Sequence, residues 1–346
     1  MEIKLKYYIL YMGIKNLNTL LLEKCPNAMK TISLKELTDK TIVIDISIYL
    51  FKYALNNCLL ENIYLMISIF LQNNINPIFV FDGKTPTEKK ELVKLRREKR
   101  LDMIHEYNDL ENKINDMMDE MDKKEILECM NLLKKKIITI SKTDFDNVKQ
   151  MITAFGLTYY DAPNEADELC AYLCIKCDVY ACLSEDMDMF VYGCPRILKS
   201  ISLFNQTVML YEQADILNNF QLTQPEFREI CVLSGTDYNC IENDTAAAVQ
   251  MPTLKKSIKL FDTYKKSEDV TTVNFYNWLM KYYTYITDYD LLIKVNTMFD
   301  VNNSHNIQAF QMLNIPVLRP IQPIGSIIQN PQLMSVLKLD GFIFPM

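Results

Sequence analysis

The sequence of 346 residues contains little glycine, histidine or tryptophan, with seven, two and one of these residues. Its cysteines form no secretory framework, its N-terminus has no signal-peptide pattern, and no apolar run approaches a membrane span in length. These absences exclude a disulfide-stapled secreted protein and an integral membrane protein. They predict a reducing intracellular compartment, either the nucleus or the cytoplasm. Histidine-based catalysis is not expected either.

The remaining composition is that of a globular protein, with 49% hydrophobic and 23% charged residues. A chain of this length can bury one large core or two smaller ones. The net charge of -7 argues against indiscriminate coating of nucleic acid, so the local distribution of charge matters more than the sum. Abundant Ile, Asn, Lys and Tyr indicate an AT-rich genome, such as that of a virus.

The apolar patterning predicts an α/β fold. Runs at 41–45 and 77–81 are typical of buried strands, and a helical pattern at 63–71 lies between them, so these strands should pair in parallel. A long charged helical stretch at 88–136 contains no glycine or proline to break it. The later elements are a strand at 157–160, a helix at 165–176, a strand at 179–183, a hairpin at 197–211, helices beyond 224, and an irregular tail from 314.

Acidic residues recur where a strand ends or a helix begins. The seven are Asp45, Asp82, Glu165, Asp167, Asp186, Asp188 and Asp237. The carboxyl ends of strands line the ligand crevice in open α/β sheets, so these side chains can converge. Their mutual repulsion would then require hard divalent cations, and two Mg²⁺ ions suit such a set. This predicts phosphodiester hydrolysis, although helix capping alone would explain an acidic first turn at 165–168.

Several short motifs resemble those of one nuclease family. They are Met12-Gly-Ile-Lys-Asn-Leu17, Val43-Ile-Asp45-Ile-Ser47, Phe79-Val-Phe-Asp82-Gly-Lys84, Ala162-Pro-Asn-Glu165-Ala-Asp167, Ser184-Glu-Asp186-Met-Asp188 and Gly235-Thr-Asp237-Tyr238. In combination they resemble the flap endonuclease and XPG family of structure-specific 5′ nucleases. The resemblance implies a PIN-like fold, with a parallel or mixed central sheet flanked by helices, a helical arch insertion and a helical C-terminal region.

The same resemblance implies function. It predicts two catalytic Mg²⁺ ions, which Mn²⁺ can replace, bound by the seven acids. It also predicts cleavage of DNA at flaps or junctions with a single-stranded 5′ end, in replication, repair or recombination. Asp167 stands where family members usually have Glu, which should adjust the spacing of the metals. The alternatives are a 5′ to 3′ exonuclease on DNA or RNA and a non-catalytic nucleic-acid-binding scaffold.

Basic residues follow Asp82 on one probable helix and can bind phosphate. The resemblance places the catalytic Lys and Arg of the family at Lys89 and Arg96, which share a helical face. A solvated basic surface would look similar. The further predicted substrate-binding residues are Gly13, Tyr49, Lys84, Arg97, Lys99 and Arg100. Tyr49 is either a stacking platform for a base or a core aromatic residue.

Five regions are predicted. They are an N-terminal extension or misread start at 1–11, an XPG N-terminal region at 12–100, an arch or surface-helix insertion at 101–143, an XPG internal region at 144–240, and a helical C-terminal region at 241–346. The segment 239–245 lacks the glycines of the family's duplex-binding hairpin, so Lys255, Lys256 and Lys259 are candidates to replace it.

The remaining expectations concern partners and cysteines. The sequence predicts a monomer that binds DNA with single-strand/double-strand junctions and has no sliding-clamp motif, and RNA is a further candidate substrate. The Cys174-Ile-Lys-Cys177 spacing permits a zinc site with Cys170 and Cys182. Helical intervals among Cys170, Cys174 and Cys177 favour a buried helix face instead.

Overall fold

The computed structural model describes residues 13–55, 58–115, 120–239, 251–303, 306–313 and 331–339. Within these ranges one sheet of seven strands organises the protein. The strands are β1 Met29–Ser33, β2 Thr41–Asp45, β3 Asn76–Phe81, β4 Thr158–Asp161, β5 Ala181–Leu183, β6 Arg196–Ser202 and β7 Thr207–Glu212.

The sheet is mixed, in the order β1-β7-β6-β5-β2-β3-β4. Strands β6, β5, β2, β3 and β4 run parallel to their neighbours, whereas β7 pairs antiparallel with both β6 and β1. The parallel core therefore presents the carboxyl ends of four adjacent strands, β4, β3, β2 and β5, at one edge. Six of the seven acidic residues predicted to form the site follow these four strands, and Asp237 follows a helix.

Helices cover both faces of the sheet. The α-helices in the described residues are α1 Leu17–Lys24, α2 Ser47–Ala54, α3 Leu59–Gln72, α4 Lys90–Asn115, α5 Glu120–Ile137, α6 Lys142–Ala154, α7 Ala166–Lys176, α8 Asp188–Tyr192, α9 Gln213–Phe220, α10 Gln224–Ser234, α11 Leu254–Lys265, α12 Phe275–Tyr282, α13 Tyr289–Met298, α14 Ile307–Gln311 and α15 Pro331–Leu339. Short 3₁₀ turns occur at Pro26–Ala28, Leu34–Leu37, Thr87–Lys89, Glu268–Thr271 and Val301–Asn303.

The strand residues alternate between two hydrophobic cores. Val43 of β2 packs into one core with α1, α7, α10 and α13, while Ile42 and Ile44 pack into the other with α2, α3 and α6. This alternation follows from the period of two along a strand, and burial on both faces explains why β2 and β3 read as continuous apolar runs. The predicted α/β fold with a mixed sheet is confirmed.

Two helical regions complete the fold. Helices α4 and α5 form the stretch predicted as an arch, and they contact each other. The tail from 314 was expected to be irregular, but α15 lies within it and buries Leu333, Val336 and Leu337 in the second core beside α6. The spacing of the apolar residues in α15 explains why this part of the tail is helical, because these residues can be buried only as one face of a helix. None of the helices described is long and apolar enough to cross a membrane.

Candidate active site

The first two acids of the site lie at the ends of neighbouring parallel strands. Asp45 ends β2 and is 5% exposed, and Asp82 directly follows β3 and is exposed. Asp45 accepts hydrogen bonds from the Ser47 backbone N–H at 3.2 Å and from the Ser184 hydroxyl at 3.1 Å. The Ser47 hydroxyl donates to Asp82 at 2.5 Å. Ser47 therefore contacts both acids and orients them toward the same space.

The start of α7 contributes two further acids. Glu165 is the N-cap residue of this helix but makes no side-chain capping bond, and Asp82 instead accepts from the Ala166 backbone N–H at 2.8 Å. Capping therefore does not account for Glu165. Asp167 lies in the first turn, and its Oδ1 is buried without a hydrogen-bond partner. A buried carboxylate oxygen that lacks a donor is unusual in a folded protein, and it indicates a ligand site.

Asp186 and Asp188 follow β5 and are both buried, at 5% and 3% exposure. Asp186 accepts from the Asp188 backbone N–H at 2.8 Å, whereas Oδ1 of Asp188 has no partner. Gly13 lies directly against them with a φ of 72°, and a Cβ at this position would overlap Oδ1 of both aspartates. Glycine is therefore required here by both backbone conformation and space.

Asp237 completes the set from beyond the C-terminus of α10, where it is bound by two cations. Lys89 Nζ lies 2.6 Å from Glu165 Oε1 and 3.4 Å from Asp237 Oδ2. Arg96 reaches the same Asp237 oxygen at 2.9 Å from the first turns of α4. The two basic residues predicted to contact the reacting phosphate thus lie directly beside the acids.

Crowding of the acids changes their ionisation. Burial raises the pKa of Asp45 to about 8, and the charges of Asp82 and Asp186 add to this effect. Burial and the charge of Asp186 also raise the pKa of Asp167 and Asp188 well above their usual range. Burial alone would lower the pKa of Lys89, but attraction to Glu165 and Asp237 outweighs it and the pKa rises. Lys89 is therefore a permanent cation.

The donor set fits hard divalent cations. It consists of carboxylate oxygens, two of which are buried without partners, in a place where negative charges repel one another. Among the described residues, no group of three or more acidic, histidine or cysteine side chains is arranged closely enough to hold a metal ion. Lys89 and Arg96 instead neutralise Glu165 and Asp237 directly. Binding of cations would require small side-chain rotations that replace these ion pairs.

The raised carboxyl pKa values predict a pH-dependent stability of the metal-free protein. A carboxyl group whose pKa is higher in the folded state stabilises fully below its unfolded pKa, and this contribution is lost as pH rises through the folded pKa. Between pH 6 and 8.5 we expect the melting temperature in EDTA to fall. Each proton that the folded protein binds and the unfolded chain releases corresponds to a loss of about 1.4 kcal/mol of stability per pH unit.

Saturating Mg²⁺ should flatten this pH profile, because a bound cation favours the ionised carboxylates. Asp45→Asn should flatten it in EDTA, since the pKa of Asp45 is about 8. Asp161→Asn is the matched control, because Asp161 also ends a strand but is exposed and paired with Lys149. Thermal denaturation with and without EDTA measures the effect, and a melting temperature independent of pH in EDTA would contradict the assignment.

The other predicted substrate-binding residues occupy different positions. Lys84, Arg97 and Lys99 are exposed, and Arg100 is partly exposed on α4. Tyr49 is fully buried, and its hydroxyl donates to Glu185 at 3.5 Å. No base can stack on this ring in the structure, so the stacking role is corrected to the core role. Phe51, on the opposite face of α2, is the exposed aromatic residue, because α2 packs on the sheet through its other side.

Tyr238 is a site residue that the sequence analysis missed. Its hydroxyl donates to Glu165 Oε2, and its ring lies beneath Lys89 Nζ, which is 5.4 Å from the ring centroid. It therefore orients an acid and a cation of the site at once. In the sequence, the signal for this role was the position of Tyr238 beside Asp237. An aromatic residue at that position is equally typical of a protein core. Only the folded contacts distinguish the two roles.

The cysteines form a core face and not a zinc site. Cys170, Cys174 and Cys182 are buried between α7 and β5, and burial raises the pKa of each thiol. Across the described ranges, no cluster of cysteines has metal-binding geometry. The segment 239–245, which lacks the glycines of the family's hairpin, lies beyond Asn239 outside the described residues. Residues 1–11 also lie outside them.

Comparisons with known proteins place this geometry in a family context. Residues 12–103 match the XPG N-terminal domain and residues 156–237 match the XPG I-region, which together are about half of the chain. The flap endonuclease 1-A of Oryza sativa subsp. japonica is 31% identical over 246 residues, covering 66% of this chain and 62% of that protein. This chain thus spans slightly less than two thirds of that relative.

Solved structures show the same fold. The catalytic core of Rad2 in complex with a DNA substrate matches with a TM-score of 0.62 and 19% identity, over 94% of this chain and 95% of that one. The flap endonuclease-1 from Methanococcus jannaschii matches with a TM-score of 0.55 and 21% identity, over 90% and 94% of the two chains. These likenesses confirm the PIN-like architecture.

Proposed function

This chain belongs to the flap endonuclease and XPG family, and on that premise we propose that it is a metal-dependent, structure-specific 5′ nuclease that hydrolyses DNA phosphodiesters at flaps or junctions. One observation carries the proposal: all seven predicted acids lie at one end of the parallel strands, with Lys89 and Arg96 paired to them. A scaffold without activity would have no reason to retain this arrangement.

We propose that the seven acids hold two Mg²⁺ ions, which Mn²⁺ can replace. The ligands would be Asp45, Asp82, Glu165, Asp167, Asp186, Asp188 and Asp237. Bound there, the ions would supply Lewis-acid stabilisation of the phosphate charge and would lower the pKa of a bound water. The protein contributes the orientation: Ser47 and Ser184 hold Asp45, and the Ala166 N–H and Ser47 hold Asp82.

Lys89 and Arg96 would act on the scissile phosphate. Both lie within 3.4 Å of Asp237, so once ions occupy the acids, these cations would be free to contact a phosphate beside the ions. Preorganised cations stabilise charge that develops in the transition state more than charge in the ground state. Gly13 permits close approach of the DNA strand, because it places no side chain over Asp186 and Asp188. Lys84, Arg97, Lys99 and Arg100 would bind neighbouring phosphates.

The 101–143 insertion, which we propose as the arch, contains the C-terminal part of α4 and all of α5. The cations Lys94, Arg97 and Lys99 lie on exposed positions of α4, close in sequence to the site. A single-stranded 5′ end passing between the arch and the sheet edge would therefore be held by its phosphates. We propose that the protein acts as a monomer on junction-containing DNA in the nucleus or cytoplasm.

The proposed activity is tested with labelled substrates. Flap, nicked, gapped, hairpin and RNA substrates are incubated with the purified protein and Mg²⁺, and products are resolved by length. Cleavage of the flap near its junction, dependent on Mg²⁺, is the expected result. Stepwise release of mononucleotides from a duplex end, with no cut at the junction, would favour the exonuclease alternative. No cleavage of any substrate would reject the proposal.

The way in which the protein binds its substrate leads to a further prediction. The segment 239–245 has no glycine and carries Glu242 and Asp244, so it should hold the downstream duplex weakly. Lys255 is paired with Glu23 at 2.8 Å, which reduces its availability to phosphate. We therefore expect the single-turnover rate to change little as the downstream duplex is shortened. A bulky adduct on the 5′ end should lower the rate strongly, because the end can no longer enter the arch.

The measurement is a series of flap substrates with progressively shorter downstream duplex, at fixed ionic strength and saturating protein. The control is the same series with a 5′-blocked flap. A steep fall in rate on shortening the duplex would show that another surface grips it, with the exposed Lys256 and Lys259 of α11 as the first candidates. Unimpaired cleavage of the blocked flap would contradict threading.

A further inference from the structure

Helix α13 lies outside both regions that match the family, yet it contacts the active site from behind. The helix is anchored to α10 at its C-terminal end. Arg228 of α10 donates to the Phe299 carbonyl and to the Asp300 carboxylate, each at 3.2 Å. The Arg228 side chain is 11% exposed, so this anchor is shielded from water. The end of α13 is therefore held firmly against the helix that leads to Asp237.

The residue that follows α13 packs against the site. Phe299 is fully buried, and its ring meets Tyr238 edge-on with the centroids 5.5 Å apart. It also contacts Tyr192 of α8 at 4.8 Å between centroids. Tyr238 in turn lies beneath Lys89 and donates to Glu165. Lys89 thus lies on an edge-on aromatic cluster that Phe299, the residue after α13, completes.

A second contact links α13 to Lys89 indirectly, through the preceding residue Glu88. Lys294 Nζ lies 2.7 Å from Glu88 Oε1, and Glu88 directly precedes Lys89 in the 3₁₀ turn Thr87–Lys89. The Glu88 side chain is only 13% exposed. The hydrogen bond from Lys294 lowers the pKa of Glu88, which keeps this carboxylate ionised. The turn that begins the arch is therefore tied to α13 by charge.

We propose that Lys294 is a positioning residue, which holds Glu88 and thereby sets the place of Lys89 against the scissile phosphate. The inference rests on the proposed nuclease function. The two contacts of α13 restrain Lys89 from different sides, one through the preceding residue and one through the ring beneath its ammonium group. Lys294 itself is 61% exposed and makes no contact with the acids of the site, so its effect must pass through Glu88.

A charge-reversal cycle tests the inference, with Lys294→Glu, Glu88→Lys and the double variant that restores the pair in reverse. Single-turnover rates on a flap substrate are measured at saturating protein, and DNA affinity is measured separately with Ca²⁺ in place of Mg²⁺. We expect each single change to lower the rate about fivefold, the scale of one partly exposed ion pair, with affinity changed less than twofold. The double variant should recover to within about twofold of wild type.

Lys281→Glu is the matched control, because the pair that Lys281 of α12 forms with Asp269 is similarly exposed and spans 3.0 Å. It should leave the rate unchanged. Additive losses in the double variant would overturn the positioning role, as would single variants that weaken binding without slowing cleavage. The two failures are distinguishable: an active wild type without coupling rejects only the role of Lys294, whereas an inactive wild type rejects the proposed function and this role with it.

Discussion

Asp186→Asn and Asp188→Asn are each expected to abolish cleavage, with single-turnover rates reduced at least about a thousandfold, equivalent to about 4 kcal/mol of transition-state stabilisation. Both aspartates are buried at the carboxyl end of β5, and Oδ1 of Asp188 has no hydrogen-bond partner among the described residues. An amide cannot replace the charge that a divalent cation needs from these ligands. Binding of DNA should persist, because neither side chain belongs to the basic surface of α4.

Stability separates this ligand role from a structural one. Burial raises the pKa of Asp186, with the charge of Asp237 contributing, so a neutral Asn at this position relieves repulsion. The melting temperature in EDTA at pH 8 should therefore stay level or rise. Asp161→Asn is the control and should retain the wild-type rate, because this strand-end acid is paired with Lys149 away from the cluster. A variant within about tenfold of wild type would rule out its aspartate as a ligand.

Lys89→Ala should lower the single-turnover rate by about a hundredfold to a thousandfold, the cost of removing one preorganised charge donor from a shielded site. The Lys89 side chain is 11% exposed and lies between Glu165 and Asp237. Arg96→Ala should have a smaller effect, about tenfold to a hundredfold, because that side chain is 52% exposed and solvent screens its charge. Affinity for DNA should change much less than the rate in both variants.

Arg97→Ala and Lys99→Ala are the contrasting variants, since both residues are exposed on the same helix. They should weaken binding and reduce the dependence of affinity on salt, while the rate at saturation stays near wild type. The comparison requires rates at saturating protein and affinities at two or more salt concentrations. If all four variants behaved alike, α4 would be a general phosphate-binding surface, and the specific roles of Lys89 and Arg96 would be wrong.

Features that depend on neighbouring residues, such as strands and the acids that follow them, could be predicted from the sequence. Runs of apolar residues at 41–45 and 77–81 can be buried only as strands of a covered parallel sheet, and the structure has β2 and β3 there. Acids that follow such strands meet at one edge for geometric reasons, so Asp45, Asp82 and Asp186 could be assigned to one place in advance. The hairpin at 197–211 and the helix at 165–176 were also predicted to within one residue at each end.

The rotation of a helix about its own axis, which decides the side chains that it buries, could not be predicted from the sequence in the same way. The run Ile48-Tyr49-Leu50-Phe51 is apolar throughout, so no periodicity distinguishes its buried side from its exposed side. Packing of α2 on the sheet decides the matter, leaving Tyr49 at 0% exposure and Phe51 at 46%. The same ambiguity hid α15, whose few apolar residues acquire a face only when α6 lies beside them.

The sequence by itself therefore determined the fold class, the acidic set and the two cations, because these depend on local patterning and on motifs. The tertiary structure alone decided which charges meet. Lys89 and Glu165 are 76 positions apart, and Arg96 and Asp237 are 141 apart. Lys294 has no local signal, and the position of Tyr238 beside Asp237 does not distinguish a site residue from a core residue. The roles of both arise from contacts that exist only after distant segments pack. Long-range pairing is set by the sum of many weak contacts across the core, which no short motif contains.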